Sequence, residues 1–181
     1  SAGSIDIRQK RNKLSLHDLT GFNGRCDAIY FTMDANDVPA SDCTALNRMR
    51  RRMLDLEDTP DVIGKYDFVV VGGGIAGMSA AITVARLGCK VALVHDRPVL
   101  GGNNSSEVRV HLGGRIEAGP YTALGNLQKE FGPLKGGNAR PGSFYEDGKK
   151  MEAVKKEKNI TLFASHRAFD AETEGDRITK I

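Results

Sequence analysis

Gly72, Gly74 and Gly77 satisfy the spacing G-x-G-x-x-G within Gly72-Gly73-Gly74-Ile75-Ala76-Gly77. Glycines at that spacing let a backbone come close to a pyrophosphate. Gly72 supplies the dihedrals of a tight strand-to-helix turn. Gly74 leaves the backbone bare toward a ligand, and Gly77 lets a helix lie close on its strands. The N–H groups and the positive dipole end of that helix would then face the phosphates.

The motif has meaning only between a strand and a helix. Phe68-Val69-Val70-Val71 is β-branched, apolar and ends at glycine, which predicts a buried parallel strand. Met78 to Leu87 is small, apolar and free of proline, which predicts a helix stopped by Gly88. Val91 to Val94 predicts the next strand. The bland alternative is a glycine-rich turn packing a helix in some other α/β protein. Strand, glycines, helix and second strand all agree, so the stretch reads as a dinucleotide-binding unit.

The residues after the second strand are the next candidates. A ribose-binding acid is expected at that strand's end, about 20 residues beyond the glycines. Here His95 holds the strand-end position and Asp96 follows it. Asp96 could bind the ribose directly, or His95 could donate to it; an ordinary loop role is the alternative for both. Arg97 is placed to face a phosphate or an adenine ring. Gly101-Gly102 suggests a second close approach of backbone to ligand, or a plain turn. Arg109 and His111 could serve a substrate, against surface or structural roles. No histidine has a partner that the sequence proves, so no catalytic acid or base is assigned.

Composition bounds the rest. The 181 residues suit one domain, or one and part of a second. A hydrophobic content of 40% supports a core, and with no tryptophan that core must be largely aliphatic. A net charge of +3 is too small to argue for nucleic acid or a membrane surface. No apolar run is long enough to span a bilayer. The start at Ser1 leaves the compartment open between cytoplasm and periplasm. Cys26, Cys43 and Cys89 lack C-x-x-C spacing, so neither a redox pair nor a metal site is suggested. Cys89 reads as a buried structural thiol, and a Cys26–Cys43 disulfide stays open.

Residues 1–60 read as an arm or the tail of a β-rich domain, and 61–181 as the dinucleotide unit. In the first part, Cys26 to Met33 predicts a strand and Thr44 to Leu56 a helix. Arg48, Arg50, Arg51 and Arg52 on that helix read as a solvated face before a phosphate patch. In the second part, Val108 to Leu112 alternates like a short strand, and Leu124, Leu127 and Phe131 mark a helix. Gly136 to Gly142 is a loop, and Ser143 to Lys158 predicts one helix weakened at Gly148. Ile160 to Ala164 predicts a third strand, and Arg167 to Ile181 a hairpin turning at Gly175.

The stretches YDFVVVGGGIAGMSAA, KVALVHDRPVLGGNNSSEVRVHLGG and NITLFASHRAFDAETEGDRITKI carry a resemblance. They are similar to the flavin-dependent oxidoreductases of the two-dinucleotide-binding-domain, glutathione-reductase-like superfamily. Within it they most resemble the FAD-dependent oxidoreductases found with bacterial polysaccharide-utilising enzymes. The resemblance implies an α/β fold: a Rossmann-like FAD-binding domain with a parallel sheet, crossover helices and a β-hairpin. It implies FAD as cofactor, with Gly72, Gly74, Ile75, Ala76 and Gly77 at the pyrophosphate. It implies His95, Asp96, Arg97, Gly101, Gly102, Asn103 and Asn104 at the ribose and toward the flavin, and the backbone of Ala168 at the adenine. The segment LHDLTGFNGRCDAIYF is similar to the last strands of a β-sandwich domain preceding some relatives. The chain departs from the superfamily in lacking a strand-end glutamate. The expected activity is transfer of a hydride or two electrons from a small organic substrate, carbohydrate-related in this subgroup, to flavin. A nicotinamide-dependent dehydrogenase and a non-enzymatic nucleotide- or carbohydrate-binding module are the alternatives. Three strands are few for a doubly wound sheet, so the chain is expected to be part of a longer protein and poorly stable alone.

Overall fold

The computed structural model describes residues 3–17, 19, 29–57, 59–114, 117 and 119–181. It divides into two compact units, Ser1–Asp58 and Thr59–Ile181. In the first, helix α1 spans Cys43–Met53. Asp42 caps it, its Oδ1 accepting from the Ala45 N–H at 2.9 Å. Arg50, Arg51 and Arg52 sit in its last turn, where cations suit the negative dipole end. The predicted strand over Cys26 to Met33 is not formed in its described part, residues 29–33. No strand pairs with that stretch among the described residues, and a lone strand leaves its backbone groups unpaired. Instead the Tyr30 hydroxyl donates to Asp37 at 2.5 Å and Thr32 donates to the same carboxylate oxygen at 3.1 Å. Cys26 lies outside the described residues, so the Cys26–Cys43 pairing does too.

The second unit is α/β. Strand β1 (Phe68–Val71) leads into helix α2 (Ile75–Arg86) and strand β2 (Val91–His95). Helix α3 (Leu124–Phe131), a 3₁₀ turn (Gly142–Tyr145) and helix α4 (Asp147–Lys155) follow. Strand β3 (Ile160–Ala164) completes a parallel sheet of order β1-β2-β3. The register sets Val70 beside Leu93 and Leu93 beside Leu162. Strands β4 (Glu172–Glu174) and β5 (Arg177–Lys180) form the antiparallel hairpin, with Gly175 at φ +58° in its turn.

Both crossovers step the same way across the sheet, so right-handed connections place their helices on one face. The core sits there. Val70, Val91 and Leu93 meet Met78, Ala81, Ile82 and Ala85 of α2, Phe131 of α3 and Val154 of α4. Arg86 locks the helical layer from outside, donating to Glu130 on α3 and to Glu157 beyond α4.

Three further expectations, all in this second unit, need correction. β1 is not a buried strand: Val70 alone is buried, and Phe68, Val69 and Val71 are exposed. It lies at the sheet edge, and the described helices of this unit pack on one core with the sheet. Val108 to Leu112 forms no strand, because Arg109 adopts φ +60°. Its carbonyl is taken by the Ala139 N–H and the Tyr145 hydroxyl, in place of a ladder partner. The helix predicted over Ser143 to Lys158 is broken at Glu146, whose φ of +47° separates the 3₁₀ turn from α4.

Candidate functional site

β1 delivers the chain to Gly72, whose N–H still bonds to the Val94 carbonyl of β2 at 2.8 Å. Gly72 then turns at φ +107°, a conformation that favours glycine. α2 starts at once. Its N-cap, Gly74, offers no side-chain bond to the first-turn N–H groups, and no acidic residue sits in that turn. Neither the cap nor the first turn of α2 therefore supplies a side chain that compensates its positive end.

Gly77 is the closure point. A Cβ there would lie 1.9 Å from the Gly72 carbonyl oxygen and 3.3 Å from Val70 Cγ1. The helix touches the loop that feeds it. Gly73 is walled in: its Cβ would meet Leu100 at 2.5 Å and the His95 ring at 2.8 Å. Gly74 differs. Its φ of −70° suits any residue, and its Cβ would meet only the Gly102 Cα, at 3.9 Å.

A second glycine segment lies beside the first. The Gly101 N–H donates to the Gly73 carbonyl at 2.8 Å, and Gly74 and Gly101 form a parallel bridge. Gly101 (φ +110°) and Gly102 (φ +59°) turn the chain there. A Cβ on Gly102 would come within 3.1 Å of the Gly74 Cα, so the two backbones approach bare face to bare face. Asn104 follows and is buried. Its amide donates to the Val110 carbonyl at 3.0 Å, while its Oδ1 has no hydrogen-bond partner among the described residues. A buried acceptor without a donor is costly unless a ligand or water supplies one.

His95 is the main correction among the predicted site residues. The residue is 5% exposed. Nδ1 accepts the Gly73 N–H at 3.0 Å, and Nε2 lies 2.9 Å from the Val99 carbonyl. These partners assign the neutral Nε2–H tautomer, with Nε2 donating to Val99. Asp96 Oδ1 is 3.7 Å from Nδ1, but an ion pair there would need a proton that Gly73 already excludes. His95 is thus a strut between the glycine loop and the 96–100 segment, with no nitrogen left for a ribose. No sequence pattern marks this role, since both partners are backbone.

The remaining predicted residues fall around this centre. Ile75 is half-buried and Ala76 exposed in the first turn of α2. Asp96 is exposed at the end of β2, free to meet a hydroxyl. Arg97 lies 3.5 Å from Glu107, and Asn103 is exposed. The Ser165 and His166 N–H groups bond to the Arg97 and His95 carbonyls, laying the exit of β3 beside the exit of β2. Ala168 follows, half-buried; no bond among the described contacts ties it to the glycine loop. Arg109 and His111 are gathered elsewhere. The His111 N–H bonds to Asn138 and its Nδ1 accepts from Gly137, pinning the 136–140 loop.

A family model described as FAD dependent oxidoreductase matches residues 67–181. The chain belongs to that family. Its matched region starts one residue before β1 and contains both glycine segments. Short stretches are also similar to curated proteins. One is 55% identical over 38 residues to a soluble pyridine nucleotide transhydrogenase of Ectopseudomonas mendocina, covering 21% of this chain and 8% of that protein. Another is 54% identical over 41 residues to a dihydrolipoyl dehydrogenase of Trypanosoma brucei brucei, covering 23% of this chain and 9% of that protein. Each match thus spans only 8% or 9% of the relative's length. A GidA-related protein of Thermus thermophilus aligns with a TM-score of 0.42 and 19% identity, over 64% of this chain and 44% of that one.

The site fits the family's cofactor. FAD carries a pyrophosphate, hydroxyls and flat rings. The uncapped end of α2, the open face at Gly74 and Gly102, and the orphaned Asn104 Oδ1 suit such a molecule. Among the described residues no group of three His, Cys, Asp or Glu side chains is placed to hold a metal, and no helix is long and apolar enough to cross a membrane.

Lys150, unmarked in the sequence, lies fully buried behind this site. Burial pushes its amine below the ordinary lysine value of 10.5, and the Asp147 and Glu146 carboxylates oppose that shift. The unfolded chain therefore holds a proton that the folded chain sheds earlier. Stability should rise with pH across the window between the lowered pKa and 10.5. Urea midpoints measured from pH 7 to about 10.5 should climb in the wild type relative to Lys150→Met. Parallel profiles would contradict this.

Proposed function

We propose that this chain binds FAD across its two glycine segments and forms the cofactor-holding part of an oxidoreductase. Gly72, Gly74, Ile75, Ala76 and Gly77 would hold the pyrophosphate at the start of α2. Asp96 would take a ribose hydroxyl, and Gly101, Gly102, Asn103 and Asn104 would border the route toward the flavin. Arg97 would lie at its phosphate or adenine end, near the Ala168 backbone. Bound FAD supplies the redox chemistry, accepting a hydride or two electrons from an organic substrate. The residues of this chain bind and orient it. The proposal places the chain among the two-dinucleotide-binding-domain flavoproteins of glutathione-reductase type, with a carbohydrate-related substrate.

Gly74 carries this reading. Neither its dihedrals nor the protein around it calls for glycine. What a side chain there would obstruct is the open face shared with Gly102. Gly74→Val should therefore weaken FAD binding by about 10- to 100-fold, equivalent to about 1.4–2.8 kcal/mol. Its thermal midpoint should stay near the wild-type value. Fluorescence titration with FAD and a melting curve measure the two. Equal FAD affinity in Gly74→Val would remove the site from this position. Mass identification of the heat-released cofactor separates FAD from a nicotinamide.

A further inference from the structure

Lys150 belongs to no part of the glycine motif, yet it supports the second glycine segment from behind. A Cβ added to Gly101 would strike its Cδ and Cε at 2.8 and 2.9 Å. Its ammonium donates to the Tyr145 carbonyl and lies 3.8 Å from Asp147 Oδ1. Asp147 reaches back to the same segment, its two oxygens accepting the Ser106 N–H at 3.1 and 3.2 Å. The left-handed residue Glu146 makes this possible. It separates Tyr145 from Asp147, and one amine meets the carbonyl of the first and the carboxylate of the second.

The two ends of the 101–106 segment are thus fixed by one pair. The Lys150 stem backs Gly101, and Asp147 ties Ser106. Between them lie Gly102, facing Gly74, and Asn104 with its orphaned Oδ1. Lys150 is fully buried, so it cannot itself reach a ligand.

We infer that Lys150 and Asp147 are a positioning pair whose contact sets the affinity of the Gly101–Asn104 segment for FAD. This rests on the proposed FAD site. Removing the amine leaves Asp147 short of its cation and the Tyr145 carbonyl short of its donor, which is costly in a buried setting. Asparagine at 147 can still accept the Ser106 N–H while needing no cation.

The test uses the 181-residue chain with FAD as the probe. Lys150→Met keeps the stem and removes the charge. Its FAD affinity should fall on the order of ten-fold. Hydrogen exchange should speed at the Gly101 and Ser106 amides while α2 keeps its protection. A general loss of stability would instead raise exchange across the sheet and α2. Lys150→Met/Asp147→Asn should regain FAD affinity to within about three-fold of wild type. Wild-type affinity in Lys150→Met, or no recovery in the double variant, overturns the inference. Should Lys150→Met not fold, the double variant decides on the same three-fold criterion. If the wild-type chain takes up no FAD, the FAD reading fails by itself. Exchange at Gly101 and Ser106 then still decides whether the pair holds the segment.

Discussion

Gly77→Ala is expected to abolish FAD binding and to lower stability by about 3 kcal/mol or more. The added methyl carbon would sit 1.9 Å from the Gly72 carbonyl oxygen and 3.1 Å from its carbon. Those are backbone atoms and cannot swing aside. Gly72 is held to β2 by its bond to Val94, and α2 is packed on the sheet through Met78, Ala81 and Ile82. The helix would have to lift from the strands, carrying its N-terminus away from the loop. Gly72→Ala is the control. Space around it is open, so its cost is confined to backbone strain at φ +107°, on the order of 1–2 kcal/mol. Calorimetry and FAD titration on both variants should rank Gly77→Ala well below Gly72→Ala. A Gly77→Ala chain that melts with the wild type would show that α2 does not touch the loop as described.

His95→Ala carries the second large effect. It should cost about 3 kcal/mol or more, a fall in Tm of about 8–12 °C or more. Three losses combine. The Gly73 N–H and the Val99 carbonyl lose their partners, and a cavity opens between Gly73 and Leu100. His95→Leu separates the terms: it refills the space and leaves both backbone groups orphaned, so it should recover only part of the loss. Had His95 served a ribose, His95→Ala would weaken FAD binding and leave the melting curve in place. That pattern would overturn its role as a strut.

The candidate site was half legible. The glycine loop announced itself because strand, glycines and helix follow one another within a few residues. Gly72, Gly74 and Gly77 differ in role according to what a side chain would strike, and that ordering needed coordinates. Gly77 is fixed by the fold, Gly74 by the open face. The strand-end place of His95 suggests a ribose group. Its ring turned inward because Gly73 and Val99 present a donor and an acceptor there, and backbone groups leave no mark in composition.

Local pattern by itself determined the β1-α2-β2 unit, α3, β3 and the hairpin at Gly175. Strand and helix periodicity, with glycine at the turns, specify each over a few residues. Tertiary structure alone decided which strand became an exposed edge, why Val108 to Leu112 forms no strand, and where the 143–158 stretch breaks. It also decided that a lysine on α4 lies buried against Gly101. The 102–159 segment is threaded by bonds spanning tens of residues: Tyr145 to Arg109, Asn138 to His111, Asp147 to Ser106. Each pairs a side chain with a backbone group, so no periodicity records it, and only the folded chain brings the partners within reach.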